Sequence, residues 1–143
     1  MPHRTIRDLI GSQTILTASA ETSVSEAAGL MKRTNVGAIM VVEGGRLVGI
    51  FTERDALFRV IAEGREPHAT RIAEVMTRNP QTIDPDKPLG HALHMMYEGG
   101  FRHVPVVENG RPLGMVSARD ALGPELDAFE SELVQREHIR EIL

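Results

Sequence analysis

Residues 36–57 read VGAIMVVEGGRLVGIFTERDAL, and residues 101–122 read FRHVPVVENGRPLGMVSARDAL. Laid over each other at an offset of 65, the stretches agree at ten of 22 positions: Val41, Val42, Glu43, Gly45, Arg46, Gly49, Arg54, Asp55, Ala56 and Leu57, each with its counterpart. The offset holds without a gap from Thr14 to Leu122. TSVSEAAGLM (22–31) falls on KPLGHALHMM (87–96), and IRDLI (6–10) falls on IAEVM (72–76) once the offset slips to 66. Self-similarity at a fixed period marks a repeat architecture. The chain is two copies of one unit of about 60 residues, a size that is marginal alone.

Each copy spells the same elements. Val24, Ala27, Ala28 and Met31 form one apolar helical face, and Leu89, Ala92, Leu93 and Met96 repeat it. Ser23 and Glu26 have the spacing of a capping box. Pro88 suits the first turn of the second helix, and Gly99-Gly100 suits its end. Two β-branched apolar runs follow, joined by Glu43-Gly44-Gly45 in one copy and Glu108-Asn109-Gly110 in the other. Both turns accept positive φ and so signal hairpins. A second helix is expected next, with Leu57, Val60 and Ile61 as its apolar stripe and Gly64 as its C-cap. GREPHAT (64–70) reads as a linker. The expected fold is α/β (α+β), two tandem strand–helix–strand–strand–helix units related by a pseudo-twofold axis. Its bounds are 1–66 for the first unit with an N-terminal helix, 67–123 for the second, and 124–143 for a C-terminal helix.

Composition narrows the function. Of 143 residues 41% are apolar but only 3% aromatic, and seven are Met, so the core is aliphatic and adaptable. No Cys is present, which excludes disulfides and thiolate metal sites. No apolar run reaches membrane-spanning length, and MPHRTIRDLIGSQ lacks the apolar stretch of a signal peptide. A cytoplasmic location without a membrane partner is expected. A net charge of −4 with interspersed signs points away from nucleic acid.

The repeat also keeps polar residues. Thr52 with Asp55, and Ser117 with Asp120, each fit a helix N-cap. Arg54 and Arg119 precede the aspartates both times, where a cap has no use for them. A strand-to-helix turn preceded by Gly allows close ligand approach and offers backbone N–H groups to an anion. A carboxylate can accept hydrogen bonds from ribose hydroxyls, and Arg suits phosphate.

The pattern Gly, two apolar residues, Ser or Thr, two free positions and Asp follows a hairpin and, in the second copy, Val104-Pro105-Val106-Val107. It resembles the CBS (cystathionine-β-synthase) domain. Two copies resemble a CBS-domain pair, or Bateman module, over about residues 5–122, and with no flanking domain a stand-alone one. The resemblance implies two inter-unit clefts for an adenosine-containing ligand (AMP, ADP, ATP, NAD or S-adenosylmethionine), no catalytic cofactor, and pairing of two chains into a disk-like homodimer. Matched position by position, it implies that Asp55 and Asp120 hold ribose hydroxyls. Thr52 and Ser117 would contact ribose or phosphate, and Arg54 and Arg119 would face phosphate. Val36, Gly37, Ala38 and Ile39, with Phe101, Arg102, His103, Val104 and Pro105, would shape the adenine pockets, Arg102 and His103 reaching phosphate. Thr17-Ala18 and Thr82-Ile83, the first strands, would line the same pockets.

The copies differ where Gly37-Ala38 faces Arg102-His103, Met40 faces Pro105, and Glu53 faces Ala118. The two clefts are therefore not expected to be equivalent. The implied function is an adenine-nucleotide-sensing regulatory module, not an enzyme; the competing reading is a constitutive dimerisation scaffold with vestigial clefts. His91, His94 and His103 read as ordinary histidines rather than a metal set. The tail, with Leu126, Phe129, Leu133 and Val134 and then Ile139, Ile142 and Leu143, reads either as a helix packed on its own domain or as a contact for a second chain or protein partner.

Overall fold

In the computed structural model, which describes residues 5–121 and 123–142, the elements follow as α1 (Ile6–Ile10), β1 (Thr17–Ala18), α2 (Val24–Thr34), β2 (Ala38–Glu43), β3 (Arg46–Thr52) and α3 (Glu53–Asp55), which runs on into a π-helical segment, Ala56–Ile61. Then come α4 (Ile72–Val75), β4 (Thr77–Arg78), α5 (Leu89–Gly99), β5 (His103–Glu108), β6 (Arg111–Ser117), α6 (Ala118–Ala121) and α7 (Gly123–Ile142). The hairpin tips set the register. Gly44 and Gly45 take φ of +57° and +77°, and Asn109 and Gly110 take +54° and +81°. Two left-handed residues in a two-residue turn match the twist of the flanking strands. Both hairpins shift register at the same place, between Val41 and Val42 and between Val106 and Val107.

The first unit's sheet runs β1-β2-β3-β4, with β1 parallel to β2 and the other pairs antiparallel. In the second unit Ile83 bridges Val106 in parallel, beside the β5–β6 hairpin. The outer edges are finished differently. β4 pairs with β3 through its backbone, Thr77 opposite Ile50. On β6 the Gln13 side-chain amide takes that role, donating to the Met115 carbonyl at 2.9 Å and accepting from the Met115 N–H at 3.0 Å.

The leading helices are exchanged. Ile6 and Ile10 of α1 pack with Ile83, Leu89, Ala92, Met96, Val104, Val106 and Val116, the core of the second unit. Ile72, Val75 and Met76 pack with Val24, Ala27, Met31, Ile39, Val41 and Phe51, the core of the first. Each unit thus carries a helix from the segment that leads into the other.

This exchange explains the motif glycines. A Cβ on Gly49 would overlap Met76 Sδ and lie 3.0 Å from the Thr77 carbonyl; one on Gly114 would meet Ile10 Cβ at 2.9 Å. The sequence assigns these glycines to close ligand approach; the place of a Cβ beside each is taken by the exchanged segments, and of the two Gly114 also lines the cleft between the units while Gly49 does not. Gly49→Ala is expected to cost about 1–3 kcal/mol, the usual effect of overfilling a packed site. Urea unfolding checks this; an unchanged midpoint would show that Met76 swings aside freely.

Several local expectations change. Ser23 Oγ accepts from the Glu26 N–H at 3.1 Å as an N-cap. Pro88 is the N-cap of α5 rather than a first-turn residue. Val24, Ala27 and Met31, like Leu89, Ala92 and Met96, are buried, while Ala28 and Leu93 are exposed in both copies. The expected stripe after Asp55 is broken: Val60 is buried, but Leu57 and Ile61 are 51% and 66% exposed. The cause is the hydrogen bonding. The Ala62 N–H donates to Leu57 O and the Arg65 N–H to Val60 O, each five residues back, so an α-helical period does not apply. On α7, Leu133, Val134 and Ile139 are exposed, so residues 131–139 do not pack back on the domain. The rest of that expected stripe, Leu126, Phe129, Ile142 and Leu143, lies outside the described side chains, as do residues 1–4 and Leu122. Among the described residues no helix is long and apolar enough to cross a membrane.

Candidate functional site

A cleft of about 670 Å³ opens between the units, within the range of roughly 300–1,000 Å³ usual for small-ligand sites. One wall comes from the end of α2 and the start of β2. Asn35 closes α2 in the left-handed region (φ 58°), its N–H bonded to Lys32 O and Met31 O, and so turns the chain into Val36, Gly37 and Ala38. Asn tolerates this conformation better than most non-glycine residues. The opposite wall comes from the second copy of the motif: Arg102, His103, Ser117, Arg119 and Asp120. A third side is the segment Gln13–Leu16, which enters β1.

The capping geometry is real in both copies, and it leaves chemistry over. Asp120 Oδ2 accepts from the Ser117 N–H at 2.9 Å and from Ser117 Oγ at 3.0 Å, and Ser117 Oγ accepts from the Asp120 N–H at 3.4 Å. Asp55 and Thr52 repeat this at 2.9, 3.1 and 3.2 Å. The cap uses one carboxylate oxygen. Asp120 Oδ1 has no protein partner among the described residues, and Asp120 lines the cleft. An ionised carboxylate has room for several donors, so the cap and a ligand do not compete.

Charge in the cleft is mixed. Lys32, Arg102 and Arg119 supply positive charge, and Glu53 and Asp120 negative charge. Gly37 lacks a side chain where Glu53 and His103 converge: a Cβ there would lie 3.1 Å from Glu53 Oε1 and 3.4 Å from His103 Nε2. Burial lowers the His103 pKa below its ordinary value; the charges of Glu53 and Asp120 oppose that and Arg102 adds to it. The cleft thus favours the neutral imidazole of His103. His94 instead pairs with Glu98 on its own helix at 2.8 Å. Among the described residues no three His, Asp or Glu side chains assemble a metal site.

Of the residues singled out by sequence, Val36, Gly37, Ala38, Arg102, His103, Ser117, Arg119 and Asp120 meet in this cleft. Ile39, Ile83, Val104 and Pro105 are buried side chains; Ala38–Val41 and Val104–Val106 are buried without alternation, so both faces of β2 and β5 are covered there. Phe101 packs against the second core, and a Cβ on Gly99 would overlap its ring. Thr17, Ala18 and Thr82 do not line the cleft; the first strand contributes through Thr14, Ile15 and Leu16 just before it. Thr52, Arg54 and Asp55 do not line it either. Sequence reasoning missed Lys32 and Asn35, for which the only signal was their place at the end of a capped helix.

A family model for the CBS domain matches residues 6–62 and 72–123. The CBS domain-containing protein YhcV of Bacillus subtilis is 36% identical over 115 residues, covering 80% of this chain and 81% of that protein. CBSCBSPB2 of Arabidopsis thaliana is 36% identical over 133 residues, covering 92% of this chain but 25% of its own length, so this chain spans about a quarter of that relative. Among solved structures, the CBS domain pair of protein MJ0100, in complex with 5′-methylthioadenosine and S-adenosyl-L-methionine, superposes with a TM-score of 0.77 at 30% identity, covering 90% of this chain and 99% of that one.

Proposed function

The chain belongs to the CBS domain family, with two copies in tandem, and on that premise we propose that it is a regulatory module which binds an adenosine-containing ligand in the cleft between its repeats. The observation that carries this reading is Asp120: one oxygen is spent on the Ser117 cap, the other has no partner among the described residues, and the residue lines a cleft that also holds Arg102 and Arg119. The free oxygen suits the ribose hydroxyls, and the arginines suit a phosphate. Val36 and Ala38 offer apolar surface to the base. Further support is the MJ0100 pair, whose two ligands are both adenosine derivatives.

The cleft has walls from both units, so a ligand favours one relative arrangement of them, and that differential affinity is what a regulated partner reads. The apolar side chains Leu57, Phe58 and Ile61, exposed side by side on the π-helical segment, favour pairing with a second copy.

The test is calorimetric titration of the purified chain with AMP, ADP, ATP, NAD, S-adenosylmethionine and 5′-methylthioadenosine, with GMP and IMP as controls. Saturable binding of at least one adenine ligand and none of the controls is the expected result. At 100-fold excess over Kd that ligand should stabilise the fold by about 2.7 kcal/mol. No binding by any of them would leave a constitutive scaffold as the better reading.

A further inference from the structure

Resting on that reading, we infer that the chain binds one nucleotide, not two, because Phe58 and Arg59 hold the first copy's ligand residues against the protein itself. In the first copy Asp55 is only 8% exposed. Its Oδ2 is spent on the Thr52 cap, and its Oδ1 lies 3.5 Å from Arg59 Nε. Arg59 is held in place, since its Nη1 donates to the Val75 and Met76 carbonyls, both at 3.1 Å, at the end of the exchanged helix α4. Arg54 is engaged as well: its guanidinium lies over the Phe58 ring, 5.3 Å from the centroid, within the range of a cation–π contact.

The second copy has neither clasp residue. The counterparts of Phe58 and Arg59 are Gly123 and Pro124. Gly123 offers Arg119 no ring, and Pro124 offers Asp120 no cation. Arg119 and Asp120 both line the open cleft, and among the described residues neither has an ion-pair partner. The two copies share the ribose–phosphate motif but differ in the two residues that decide where its charges point. An arginine bound to a buried carboxylate and two backbone carbonyls must be displaced before a ribose can reach Asp55, whereas among the described residues no cation holds Asp120.

The test compares stoichiometry, with AMP and 5′-methylthioadenosine as probes, in the wild-type chain and in Phe58→Ala/Arg59→Ala. Both side chains are more than half exposed, so the variant is expected to fold; thermal unfolding checks this. One site per wild-type chain and two per variant chain are expected, the second removed by adding Asp55→Asn. Two sites in the wild type, or one in the folded variant, overturns the inference while leaving the proposed function standing. No binding to either chain overturns both.

Discussion

Asp120→Asn is expected to weaken adenine-ligand binding roughly 10- to 150-fold, the equivalent of one charge-assisted hydrogen bond of about 1.5–3 kcal/mol. The substitution keeps the side-chain shape and an oxygen that can still accept from the Ser117 N–H. It removes the negative charge that faces the cleft. Ribose hydroxyls then meet either an amide N–H or a neutral carbonyl in place of a carboxylate oxygen. Stability should fall by less than the 0.5–2 kcal/mol or so of a full cap deletion, because an acceptor remains. Calorimetric titration and thermal unfolding of the same sample separate the two effects. Unchanged affinity in a folded variant would remove Asp120 from the ligand site and take the proposed orientation of the ribose with it.

That prediction rests on a residue visible in the sequence, and it is instructive which neighbours were not. The hairpins were legible because Gly44-Gly45 and Asn109-Gly110 need left-handed backbone, a property written into those residue types. The faces of α2 and α5 were legible because Val24, Ala27 and Met31 follow the helical period. The stripe after Asp55 failed because it assumed that period where the chain closes bonds five residues back. The exchange of α1 and α4 left no local signal at all: IRDLI and IAEVM are amphipathic in either arrangement, and it is their packing into the opposite cores, with Gly49 against Met76 and Gly114 against Ile10, that distinguishes them. The motif was read as two ligand sites made unequal by Gly37-Ala38 against Arg102-His103, Met40 against Pro105 and Glu53 against Ala118. A further asymmetry lay four residues past the aspartate, in Arg59 against Pro124, two positions beyond the end of the self-alignment at Leu57 and Leu122.

The exchanged helices make the largest stability prediction. Ile6→Ala should cost about 2–5 kcal/mol, the range for emptying a buried aliphatic site, which is a large share of the 5–15 kcal/mol or so that holds a domain of ordinary stability. Ile6 is fully buried among Ile83, Leu89, Val104, Val106 and Val116, although 77 residues of sequence separate it from the first of these. The loss therefore falls on the second unit: amide exchange should accelerate first in β5, β6 and α5, not in the first unit that Ile6 adjoins in sequence. Ile72→Ala, the counterpart through α4, should reverse the pattern and loosen β2, β3 and α2. Because each unit carries a helix of the other, neither can unfold while the other keeps its complete core, so both variants should still melt in a single cooperative transition. A cost below about 1 kcal/mol, or faster exchange in the first unit for Ile6→Ala, would place α1 on its own unit and contradict the exchange. Two resolved transitions would show the units to be thermodynamically independent. A ligand that grips both walls of the cleft would then have no rigid coupling to act through. The regulatory reading thus depends on α1 and α4 as much as on the residues that line the site.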